Sequence, residues 1–326
     1  MADAAISDAA LVEVVGGQAR IKRESSQVVH REWFDTFDWR LHRAGLSLER
    51  ATVAGGAGAE LLLRRTSGEV LQVLPVDPAG AKGSGGGQTL VLARDGVMGS
   101  VHARLAAVVQ MRALLALVGV TLTVRTFSVL DADAKTVARI VVEAPARDTR
   151  NSLSAPVSRV TAVPVRGYES EARKLARRLG TLPTLRPSCE SCLDAALAEA
   201  GRRAGDYSGR LDLTLSPTES VGTAVQTILL GLLAAAERNM PGIAADSDTE
   251  FLHDLRVAVR RARTALKLLG DLLPADQVER LLLDLKWMSD LTTPTRDLDA
   301  HRLIADSTGA RGSQAEELRP FQAFLL

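Results

Sequence analysis

The sequence predicts an α+β domain followed by an all-α helical bundle, and three observations carry that reading. From about residue 21 to 165 the apolar residues fall in short runs bounded by Gly, Pro and Asp, as strands usually are. Residues 181–217 are polar and proline-bearing, which suits a linker. From 218 onward apolar residues recur at helical spacing. The expected domains are therefore 1–180, a linker over 181–217, and a helical bundle over 218–326.

In the first domain the segments 60–65, 70–76, 121–130 and 137–144 predict strands. Residues 101–119 predict a helix, and 169–180 a second one closed by Gly180 just past its end. The glycine-rich run 80–88 lacks the Gly-Lys-Ser/Thr ending of a phosphate-cradling loop and predicts a hairpin loop. In the bundle, Ser216, Pro217 and Glu219 resemble a capping box opening a helix over 216–240. A second helix is expected over about 248–273 and a third after Pro274. Thr293 and Pro294 predict the start of a fourth, with Asp297 and Asp299 as acids favoured by its dipole.

Composition excludes several functions. Lys and Arg number 40 against 39 Asp and Glu, a formal charge of +1, so any electrostatic role must come from local segregation of charge. Aromatics at 3% remove most of the stacking surface of single-strand binders, which makes nucleic acid an unlikely partner. The N-terminus is acidic where a secretory signal would be basic, so a cytoplasmic protein is expected. The longest apolar runs, 114–118 and 228–236, fall short of the ~20 residues of a membrane span, so none is expected. Cys189 and Cys192 form a lone C-x-x-C without a second pair or a nearby histidine. They read as incidental linker thiols ahead of half a zinc site or a redox pair.

One helix carries the strongest signal. Advancing about 100° per residue from His253, the residues Arg256, Arg260, Arg263 and Lys267 join it in an arc roughly 80° wide, bordered by an apolar arc that includes Leu255, Val259 and Leu266. A solvated face normally mixes both signs at i, i+4 spacing, and like charges one turn apart repel. Such a row needs an anion. Carboxylates of a neighbouring helix would make it structural; a phosphate polymer would make it functional. Arginine suits the latter, since its planar fork makes bidentate bonds to phosphate and stays charged. Lys286, at the edge of the next apolar stripe, and Arg296 are further candidates.

The stretches HDLRVAVRRARTALKLL, DLKWMSDL and RDLDAHRL resemble the CHAD family, the conserved-histidine α-helical domain. The resemblance implies polyphosphate binding through His253, Arg256, Arg260, Arg263, Lys267, Lys286 and Arg296. It also implies two four-helix bundles, of which a chain reaching Leu326 would hold the first. Residues 31–50, 112–115 and 164–180 resemble the CYTH domain, the triphosphate tunnel family, which implies an antiparallel β-barrel or tunnel-like first domain. That family's Glu-x-Glu-x-Lys, whose alternate carboxylates hold a metal inside the barrel, does not occur here. The expectation is a degenerate, inactive tunnel with weak anion affinity through Arg43, Arg64 and Arg112, no catalytic or metal-ligating residues and no cofactor.

The leading function is thus binding of inorganic polyphosphate or a similar polyanion, with recruitment to polyphosphate granules. The alternative is a triphosphatase of the CYTH type using Mg²⁺ or Mn²⁺, with the helices delivering substrate. A third class is an interaction scaffold whose basic row pairs with acidic helices.

Overall fold

The computed structural model describes residues 6–307, apart from 17–19, 57, 67, 77–88, 91–98, 147–157, 209, 210 and 212. The glycine-rich run expected to be a loop lies outside the described residues. The chain divides into two compact units, Met1–Val109 with Leu114–Asp206, and Gln110–Ala113 with Tyr207–Leu326.

The first unit is α+β. Its strands are β1 (Arg20–Asp35), β2 (Leu46–Val53), β3 (Ala59–Arg65), β4 (Val70–Val76), the two-residue β5 (Thr89–Leu90), β6 (Leu114–Leu130), β7 (Thr136–Pro145) and β8 (Arg159–Pro164). They form one antiparallel sheet in the order β4-β3-β2-β1-β6-β7-β8, with β5 also beside β6. The sheet curls into a half-barrel. Strand β1 organises it by pairing with β6 from Arg20↔Leu130 to Asp35↔Leu115, and its outer half also pairs with β2.

The expected helix over 101–119 requires correction. Helix α3 (Gly99–Val109) ends where Gln110 adopts a left-handed φ of 56°, and residues 114–119 belong to β6. Val118, Val120 and Leu122 are buried while their neighbours are not, a period of two that β-branched side chains favour. The apolar run satisfied both templates, and strand pairing decided between them.

Two cores pack against the sheet at different places along it. Phe127, Ile140 and Val142 pack with Leu11 of α1 (Asp8–Val15) and with Leu175 and Leu179 of α4 (Glu169–Leu179). Phe34, Leu48, Leu61 and Leu63 pack with Leu41 of α2 (Arg40–Arg43) and Leu105 of α3. Burying each such side chain is worth about 1.5–3 kcal/mol. Asp35 fixes the sharp exit from β1 by accepting from the backbone N–H groups of Thr36, Leu41 and His42. Part of the segment expected to be a linker is helical: α5 (Cys192–Glu199) starts at a capping box of Ser191 and Asp194.

The second unit holds three long helices among the described residues, α6 (Val221–Ala244), α7 (Thr249–Leu269) and α8 (Ala275–Ser307), with a 3₁₀ turn over Gly270–Leu272. Their core joins Val225, Leu229 and Leu232 of α6 with Leu255, Val259, Ala262 and Leu266 of α7 and Leu285 of α8. The cap of α6 is Ser220, which accepts from the Thr223 N–H at 3.1 Å, one turn beyond the expected Ser216. Helix α6 is also long and apolar enough to span a membrane by length and composition alone, which the count of uninterrupted apolar runs did not anticipate.

A fourth helix starting at Thr293-Pro294 is not formed. Helix α8 runs through both residues, and the Thr293 hydroxyl donates back to the Ser289 carbonyl at 2.7 Å instead of capping. A proline supplies no N–H to the carbonyl four residues earlier, and Ser and Thr hydroxyls are well placed to bond carbonyls of the turn before it.

Candidate functional site: the basic seam of α7 and α8

Helix α7 is anchored at its start. Asp248 caps it, accepting from the N–H groups of Glu250 and Phe251, and also binds the Arg112 guanidinium at 3.4 Å and the Ala113 N–H at 2.8 Å. Asp254, six residues on, binds Arg112 at 2.5 Å and accepts from the Tyr207 hydroxyl. Asp254 thus serves a buried network, which Asn239 extends by donating to Tyr207 at 2.8 Å.

The basic row lies elsewhere on α7, and its members have different surroundings. Arg260 and Lys267 are exposed and His253 is half-buried; among the described residues none of the three makes a side-chain hydrogen bond or ion pair. Arg256 and Arg263 are half-buried and turn toward α8. Arg256 Nη1 donates to the Ser289 carbonyl at 2.9 Å, Thr292 Oγ1 at 2.8 Å and Thr293 Oγ1 at 3.0 Å. Arg263 Nη1 reaches Ser289 Oγ at 3.4 Å, and its Nε is buried without an acceptor. No carboxylate among the described residues pairs with any of the five. Helix α8 answers two of them with neutral oxygens.

On α8 the two further candidates part company. Arg296 is half-buried with Nη1 enclosed and lacking an acceptor among the described atoms. Lys286 is exposed and paired with Asp290 of its own helix at 2.5 Å. Asp297 and Asp299, expected in the first turn of a separate helix, lie well inside α8. The hydroxyls of Ser289, Thr292 and Thr293 were not anticipated. Their spacing ahead of Pro294 was a readable signal, but the reach of Arg256 across to them was not.

In the first unit the arginines expected to keep weak anion affinity are otherwise engaged. Arg64 pairs with Glu49 at 3.3 Å, and Arg43 donates to the Asp38 carbonyl. Arg112 belongs to the helical unit. Sequence reading also missed a charged network on the sheet, in which Arg31 pairs with Glu49 at 3.1 Å and Glu143 at 2.6 Å. Its members come one each from different strands, so no pattern within a single strand signalled it. Among the described residues no three His, Cys, Asp or Glu side chains converge to hold a metal. Cys192 is half-buried in α5, and burial, reinforced by Glu143, pushes its thiol up to about 11; Cys189 is exposed.

The chain thus joins a curled antiparallel sheet to a helical unit that carries a cation row, with no carboxylate paired to that row among the described residues. Residues 227–325 match the CHAD domain family. No curated protein matches the chain. The half-barrel is compatible with a CYTH-like domain.

Proposed function

We propose that the helical unit binds inorganic polyphosphate, or a polyanion of similar charge density, along the α7 row, and that this recruits a cytoplasmic protein to polyphosphate deposits. The first unit is then a degenerate CYTH-like half-barrel without hydrolytic activity. One observation carries the reading: Arg256, Arg260, Arg263 and Lys267 have no anionic partner among the described residues, although like charges one turn apart repel. A phosphate polymer supplies the missing charge at many points, and each charge-assisted bond is stronger than a neutral one. The CHAD match over 227–325 supports the same reading.

Titration of the chain with long-chain polyphosphate at low and high salt tests it. Affinity should fall steeply with salt, by counterion release of the kind established for DNA. Arg260→Ala/Lys267→Ala should weaken binding by about tenfold or more while leaving the unfolding midpoint unchanged, since both side chains are exposed and Ala favours the helix. Equal binding by the double variant would place the site elsewhere. Phosphate release from triphosphate that EDTA abolishes would overturn the inactive reading of the first unit.

A further inference from the structure

Of the row's cations, Arg256 is the one most engaged by the protein, and that changes what it does. Its Nη1 meets three oxygens on the turn of α8 that precedes Pro294: the Ser289 carbonyl and the hydroxyls of Thr292 and Thr293. Those hydroxyls are themselves oriented, Thr292 donating to the Met288 carbonyl at 2.8 Å and Thr293 to the Ser289 carbonyl at 2.7 Å. Each can therefore accept from Arg256 without losing its own bond. Beside it Arg263 reaches Ser289 Oγ, so the two arginines follow α8 in antiparallel register.

Arg296 follows Thr292 by four residues and Ser289 by seven, which puts it on the same flank of α8 one turn past the clasp. That register carries it toward the His253 end of α7. Its Nη1 is enclosed without an acceptor among the described atoms, as is the Nε of Arg263. Two guanidiniums with unanswered donors thus flank a third whose Nη1 is committed to the backbone and hydroxyls of the neighbouring helix.

Building on the polyphosphate reading, we infer that Arg256 is a positioning residue: it clasps α8 at the Pro294 turn and so sets Arg296 to face the same anion as Arg260 and Arg263. The clasp rests on the reach and rigid geometry of the guanidinium, which hold Nη1 among all three oxygens. Lysine keeps the charge but presents a compact ammonium on a flexible stem.

The test is a double-mutant cycle on polyphosphate affinity in the full chain. Arg256→Lys should lower affinity about fivefold when Arg296 is present and less than about twofold in an Arg296→Ala background, because coupled residues are non-additive. Thr292→Val/Thr293→Val, which leaves every cation in place, should reproduce the loss. A merely structural role would give the same loss in both backgrounds, and that result overturns the inference, as does wild-type affinity in Arg256→Lys. Should the wild-type chain not bind polyphosphate at all, the functional reading fails. Hydrogen exchange then still tests the clasp: faster exchange of α8 amides around Pro294 in Arg256→Lys supports it, and unchanged exchange sinks it.

Discussion

Cys192 and Arg256 are each a residue whose behaviour is set by surroundings that the sequence does not display. A C-x-x-C at a helix start usually signals a thiol made acidic by the helix dipole. Here burial is the largest influence and raises the Cys192 thiol from an ordinary 9.0 to about 11. The sign of the linkage follows. Between those values the folded chain keeps a proton that the unfolded chain has released, so this contribution is complete below pH 9 and is lost as pH rises through about 11. Urea midpoints measured from neutral to strongly alkaline pH should fall less steeply for Cys192→Ala than for the parent chain. Parallel curves would mean that the thiol is solvated. The Arg256 position was legible from helical spacing, since its place on the wheel depends only on the period. Its bonding was not, because the three oxygens that hold it lie 33 to 37 residues away.

At the scale of elements, period and punctuation gave four of the eight strands and the start of α7, which Asp248 caps; the helix closes at Leu269, ahead of the expected 273. Two elements misled because a short local signal fitted more than one structure. The run 114–119 fitted a helix until β1 paired with it, and Thr293-Pro294 fitted a helix start until α8 passed through it. Packing between α6 and α7 also turns on a residue that propensity alone would misjudge. Gly242 sits in α6, where Ala would ordinarily gain about 1 kcal/mol. A methyl group there would overlap the ring of Phe251, which is buried in α7. Overpacking of that kind costs about 1–3 kcal/mol, and the ring, enclosed by its own core, has little room to yield. Gly242→Ala should therefore lower the urea midpoint of the chain. A raised midpoint would show that propensity outweighs the clash and that the helices separate freely.

For the molecule as a whole, the order of α+β first and helices after was legible because it follows from where one period replaces another. The composition of the helical unit was not, since four of its residues, Gln110–Ala113, come from between α3 and β6. Arg112 is the reason this matters to the basic seam. Its side chain is 2% exposed, it bonds Asp248 and Asp254, and its guanidinium lies 5.4 Å from the centre of the Phe251 ring. Asp248 caps the very helix that carries the row, so Arg112 steadies the base on which His253 and Arg256 stand. Removing one partner from a buried ion pair leaves the other charge without compensation, at a cost of about 3–5 kcal/mol. Arg112→Ala should accordingly destabilise the chain by that order in urea, with the first turns of α7 losing amide protection before the rest. Polyphosphate, bound along the same helix, should restore part of the loss by mass action. An unchanged midpoint would mean that the capped start of α7 holds without its cation, and a midpoint that drops but does not recover with polyphosphate would separate this network from the proposed site.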